Sequence, residues 1–134
     1  MQNRLEGPTL LVSDAITQAD TNTTVNALEI PAGSFIPPYG VSIVIVEAFA
    51  GGTPSLDVGD EDTADGWVDS TDITEGTPAT YSGTETNTTP DALNGKYYAA
   101  AGKIQVVVST GLTNGTAYVL AGYYNLSNRN LSAA

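Results

Sequence analysis

The alternation running through residues 103–125 restricts the fold more than any other feature of the chain. Ile104, Val106 and Val108 alternate with Gln105, Val107 and Ser109. After GLTNG the alternation resumes, with Tyr118, Leu120, Gly122 and Tyr124 on one side and Ala117, Val119, Ala121 and Tyr123 on the other. A period of two is the signature of pleated strands, because successive side chains point to opposite faces. The Asn114-Gly115 pair between the two runs is a strong short-range hairpin signal, so the second run is expected to return antiparallel beside the first.

Other segments read the same way. VSIVIVEAF, residues 41–49, has apolar residues on both faces, which predicts a central strand and the most buried element of the chain. VNALEI (residues 25–30) is a strand ended by Pro31-Ala32-Gly33, and IPPYG (36–40) is a turn. Leu56 to Val58 and Ala79 to Ser82 are shorter strand candidates, and residues 96–110 read as two strands broken near Ala101-Gly102. With no convincing helical period, the pattern predicts about eight strands in two packed sheets and fewer than roughly 10% helical residues. The expected fold is an all-β, jelly-roll-like β-sandwich with an extended N-terminal arm.

At 134 residues the chain holds one core. The expected organisation is an arm at residues 1–20, a sandwich at 21–127 and a C-terminal tail at 128–134. The arm's apolar residues are Leu5, Leu10, Leu11, Val12 and Ile16. They bury too little to offset about 1–2 kcal/mol of backbone entropy per ordered residue, so the arm is expected to gain strand pairing by lying across a neighbouring subunit instead of its own sandwich.

Fifteen acids against four basic residues give a net charge of −11. Coulomb repulsion then opposes binding to phosphate backbones and anionic membranes, and the cations Arg4, Lys96, Lys103 and Arg129 form no basic stripe. No secretion signal is apparent at the N-terminus, which gives the expectation of a soluble product of the cytoplasm. Asn-x-Ser/Thr triplets at Asn22, Asn87, Asn114, Asn125 and Asn130 are what an Asn- and Thr-rich chain produces by chance. Cys and His are both absent, which removes disulfides, Ser-His and Cys-His nucleophilic sites, and metal sites built on thiolate or imidazole. No cofactor is expected, and no enzymatic activity.

Oxygen chemistry remains, and residues 57–75 hold eight of the fifteen acids with the only Trp. Asp60, Asp62 and Asp65 followed by Gly66 are weak candidates for cation ligands, since hard cations take several carboxylate oxygens from one tight turn. The third acid and the glycine fall one residue late for an EF-type loop, and a solvated turn is the plainer reading. A glycosidase pair drawn from Asp57, Asp65, Asp69 and Asp72 is conceivable in kind, but a chain this short builds no deep cleft. The aromatic residues read as core filling or as an interface. Adjacent tyrosines in a strand face opposite sides, so one ring each of Tyr97-Tyr98 and Tyr123-Tyr124 points outward or into a neighbour. The expected interface residues are Leu10, Leu11, Val12, Tyr97, Tyr123 and Trp67.

The order of ADTNTT with IPAGS, AFAGGTPSLDVGDEDTADGWVD, GKYYAAAGKIQVVV and GTAYVLAGYY, across residues 19–125, resembles small β-sandwich structural proteins of tailed bacteriophages. The resemblance implies a virion protein, made in the host cytoplasm, that decorates and stabilises a capsid as a cement protein. It implies a major capsid protein as partner and self-association as a homotrimer. A receptor- or glycan-binding fibre or adhesin module is the alternative, in which outward aromatics stack on sugar.

Overall fold

The computed structural model of the chain describes residues 3–4, 7–84, 89–128 and 130–131. Leu5, Asn87, Arg129 and residues 132–134 of the tail lie outside the described residues. In chain order the first strands are β1 (Asn3–Arg4), β2 (Thr9–Val12), β3 (Ile16–Thr17), β4 (Thr24–Ile30), β5 (Ser34–Ile36) and β6 (Val41–Ala50). The rest are β7 (Leu56–Asp60), β8 (Ala79–Ser82), β9 (Lys96–Tyr98), β10 (Gly102–Val108), β11 (Asn114–Asn125) and β12 (Asn130–Leu131). The single α-helix among the described residues is one turn, α1 (Pro90–Asn94), and no described helix is long and apolar enough to cross a membrane.

The protein is an all-β sandwich of two antiparallel sheets. The smaller has the order β4-β10-β7, and the larger contains β8-β6-β11-β5-β9 with β2 and β3 also paired to β11. β1 and β12 form a separate two-stranded ladder. Val41, Ile43, Ile45 and Phe49 of β6 and Ala117, Val119 and Ala121 of β11 point inward from the larger sheet. Leu28, Ile30, Leu56, Val58, Ile104, Val106 and Val108 complete one apolar layer from the smaller sheet. The alternation in the sequence is therefore the alternation between this layer and the outside.

Asn114-Gly115 does not make a hairpin. β10 and β11 belong to different sheets, and residues 109–113 carry the chain from one to the other. A two-residue hairpin would have set both apolar rows side by side on one sheet, whereas placing them in opposite layers lets each row bury the other. Gly115 lies inside β11 at φ +134°, where a Cβ would overlap the Phe49 ring. The β6–β11 register is irregular there, and the Gly115 N–H donates to Glu47 Oε1 at 3.1 Å.

β6 is central in position, between β11 and β8, but it is not buried on both faces. Val44 is half-buried and Val46 is 53% exposed, because a two-layer sandwich has no third layer to cover them. The arm also departs from expectation. β2 and β3 pair with β11 of their own chain, Leu10 opposite Gly122 and Ile16 opposite Ala117, and Ile16 enters the core. The strand pairing that the arm needs is thus met in cis. It continues into a 3-10 turn (Gln18–Asp20) closed by a capping box between Thr17 and Asp20.

Gly115→Ala is expected to lower the unfolding free energy by about 3 kcal/mol, from the left-handed backbone and the overlap with Phe49 together. Urea denaturation measures this, and an unchanged midpoint would show that the Phe49 ring has room to move.

Candidate functional site

The acidic segment leaves β7 and folds back on it. Val58 and Val68 exchange backbone hydrogen bonds, which buries Trp67 completely. The carboxylates do much of the local work by accepting backbone N–H groups. Asp57 Oδ1 accepts from Ser70 (2.7 Å), Asp69 Oδ1 from Thr71 (2.8 Å) at the start of a 3-10 turn, and Glu75 Oε1 from Leu56 (3.1 Å). These are the donors that a loop otherwise leaves unsatisfied.

Asp60, at the end of β7, is the centre of the segment and is 4% exposed. Its Oδ1 accepts the N–H groups of Asp62 (2.9 Å) and Thr63 (3.0 Å). Its Oδ2 accepts from Lys96 Nζ at 2.6 Å and the Tyr98 hydroxyl at 2.7 Å, both on β9. Trp67 Nε1 donates to the Tyr98 oxygen at 3.2 Å, and Lys96 Nζ lies 5.2 Å from the centre of the Tyr98 ring. Burial pushes the Asp60 carboxyl up, but hydrogen bonds from Lys96, Tyr98, Thr63 and Asp62 outweigh it and hold the pKa below 3.8. Burial would lower Lys96, yet the bonds to Asp60 and Asp62 raise it overall. Burial pushes the Tyr98 phenol well up, so it stays a donor.

Asp60 and Asp62 converge on Lys96, the second at 3.1 Å. The ammonium thus stands where two of the candidate cation ligands meet. Asp65 turns elsewhere, to Asp69; burial first and the Asp69 carboxylate next raise its pKa, while the bonds from Thr71 lower that of Asp69. The three candidate ligands are not brought to one point, and no group of three or more acids among the described residues is arranged to hold a metal ion. The spacing of acids could not disclose this, since the group that gathers them is a lysine 36 residues beyond Asp60.

The expected interface residues divide. Trp67 and Tyr123 are buried in the chain's own core, which corrects their placement at an interface, and Leu11 is half-buried against that core. Leu10 and Val12 are exposed on the outer face of the larger sheet, and Tyr97 is exposed on β9 while Tyr98 points inward. Leu10 and Val12 line a groove of about 450 Å³ with Pro8, Pro37, Leu120 and Tyr124, the last being the outward ring of the Tyr123-Tyr124 pair.

No family model and no curated protein matches the chain. Solved structures do. The fold recurs in phage capsids. A chain of the acidic stable capsid structure of Helicobacter pylori bacteriophage KHP30 superposes with a TM-score of 0.69 over 98% of both chains at 17% identity. A chain of the cyanophage Pam1 capsid asymmetric unit superposes with a TM-score of 0.63 at 18% identity, over 88% of this chain and 86% of that one. At such identities the likeness is one of fold.

Lys96→Met is expected to lower stability by about 2–3 kcal/mol by leaving Asp60 buried without its cation, with Lys96→Met/Asp60→Asn recovering part of the loss. The pH profile gives a second test. Asp60 and Asp69, lowered on folding, add stability that is present above pH 3.8 and lost as pH falls through their folded values. Asp65, Glu75 and Asp91, each raised chiefly by burial, add stability that is present below 3.8, 4.5 and 3.8 respectively and lost as pH rises through their folded values. The acid limb of the melting profile is therefore expected to fall as pH drops below 3.8, where Asp60 and Asp69 lose their contribution, with Asp60→Asn flattening that limb. An acid limb that Asp60→Asn leaves unchanged would contradict this assignment.

Proposed function

We propose that the chain is a virion structural protein that decorates and stabilises a bacteriophage capsid, seated on the major capsid protein as a homotrimer at the capsid surface. The observation that carries this reading is the end-to-end match of its fold, 98% of both chains, to a chain within a phage capsid. The side chains support it. Asp57, Asp69 and Glu75 cap backbone groups while Asp60 and Asp62 hold Lys96, as befits a rigid body and not a reaction centre. The chain also lacks His and Cys, so the reading includes no catalytic turnover. A glycan-binding fibre is less favoured: Trp67, Tyr98 and Tyr123, three of the chain's aromatic side chains, face the core and are withheld from any sugar-stacking surface.

The test is co-sedimentation of the purified protein with capsids of the phage that encodes it, and with capsids assembled without it. Saturable binding at a fixed ratio to the shell protein, with a higher temperature of genome release, is the expected result. Binding to host cells or surface polysaccharide, with none to capsids, would overturn the reading in favour of a fibre or adhesin.

A further inference from the structure

We propose that the uncharged groove on the outer face of the larger sheet is the surface on which copies of this chain meet. The face is built by β2, β11 and β6, whose opposite sides fill the core. Leu10 and Val12, 79% and 63% exposed, stand on it. Leu120 lies opposite Val12 across one ladder, and Tyr118 lies opposite Val44 across the next. Leu10 leans over Gly122, its Cδ2 only 3.2 Å from where a Cβ would sit, so the glycine keeps the floor of the groove low. Not one residue lining that groove is charged, in a chain with fifteen acids.

Charge selects the occupant. A basic partner would be drawn to the acidic segment, because opposite charges steer association and complement each other across a contact. A second copy brings its own net charge of −11 and can approach closely only where both surfaces lack carboxylates, since like charges pressed together are strongly unfavourable. The eight acids of residues 57–75 begin on β7 in the other layer and none of them lines the groove, while Glu47 of β6, opposite Thr116, stands on the same face beyond the groove's lining. The free edge of β2 is continuous with this face. β2 pairs only with β11 among the described strands, and Thr9–Val12 carries none of the charges that blunt an edge against pairing. A second copy thus finds apolar area and unpaired backbone groups in one place.

This inference deepens the homotrimer of the proposed function and rests on it, but the two separate by experiment. Sedimentation equilibrium of the full chain is compared with that of Leu10→Asp/Val12→Asp and of Thr24→Asp/Asn26→Asp, the latter adding the same charge to exposed positions of β4 in the other layer. Circular dichroism and melting confirm that each variant is folded. The wild type is expected to self-associate, more tightly as salt screens the residual repulsion. The β2 variant is expected to lose at least about 100-fold in association constant and the β4 variant less than about fivefold. A monomeric wild type, a β2 variant that associates normally, or association that weakens with salt would overturn the inference. If the β2 variant keeps the wild-type oligomer but no longer binds capsids, the face belongs to the shell protein and the inference is wrong while the virion role stands. If the oligomer behaves as expected but even the wild type ignores capsids, the inference stands and the virion reading fails.

Discussion

The larger sheet is organised around β11, which is twelve residues long, pairs with β2, β3, β5 and β6, and is paired along both edges. β6 follows one edge from Asn114 to Ala121, and β5 takes over at Tyr124 and Asn125. β3 and β2 cover the other edge from Thr116 to Tyr123. The partners come from residues 9–50, so the sheet closes only when the end of the chain is laid between segments from its beginning. Such pairing is almost wholly non-local, and the loop-closure entropy it entails has to be offset by one apolar layer. Small inward residues on β11, Ala117 and Ala121 flanking Val119, keep that layer level so that the second sheet can approach.

What could be read from the sequence follows from this arrangement. The alternation in 41–49 and 103–125 disclosed the strands because each has one covered face, and the break at Ala101-Gly102 disclosed the gap between β9 and β10. Two further signals misled for physical reasons. Asn114-Gly115 has the composition of a hairpin, but its glycine serves the Phe49 ring and the irregular β6–β11 register, a tertiary demand that no local pattern contains. Val44 and Val46 made β6 look buried on both faces, because hydrophobicity alone does not distinguish a covered face from an apolar face left open. β2 was hidden for the converse reason: it adds backbone pairing and little core, so an arm poor in core residues still finds a place on the sheet.

The acidic segment was visible as a concentration of charge, but its architecture was not. Counting carboxylates suggested a cation, and a cation is indeed at the centre: the Lys96 ammonium, supplied by β9. Tethering the charge to the chain removes any dependence of Asp60 on a dissociable ion at that point. Tyr98 and Trp67 then shield the pair from water, which strengthens the hydrogen bonds around Asp60 and makes loss of any one partner costly.

The distribution of charge ties the body of the protein to its proposed assembly. A net charge of −11 keeps free molecules apart and disfavours compactness through self-repulsion, so acids that are left idle on the surface would weaken the fold. Here many are given structural tasks as caps and as partners of Lys96, which recovers stability from charge that solubility requires. Confining eight of them to residues 57–75 has a second effect, because none of these lines the groove between β2, β11 and β6. The same partition that lets acidic loops remain in water thus supplies an apolar surface where like molecules can meet. A chain without disulfides has no covalent brace, and added burial between subunits is the means left to it for durability beyond that of a single small core.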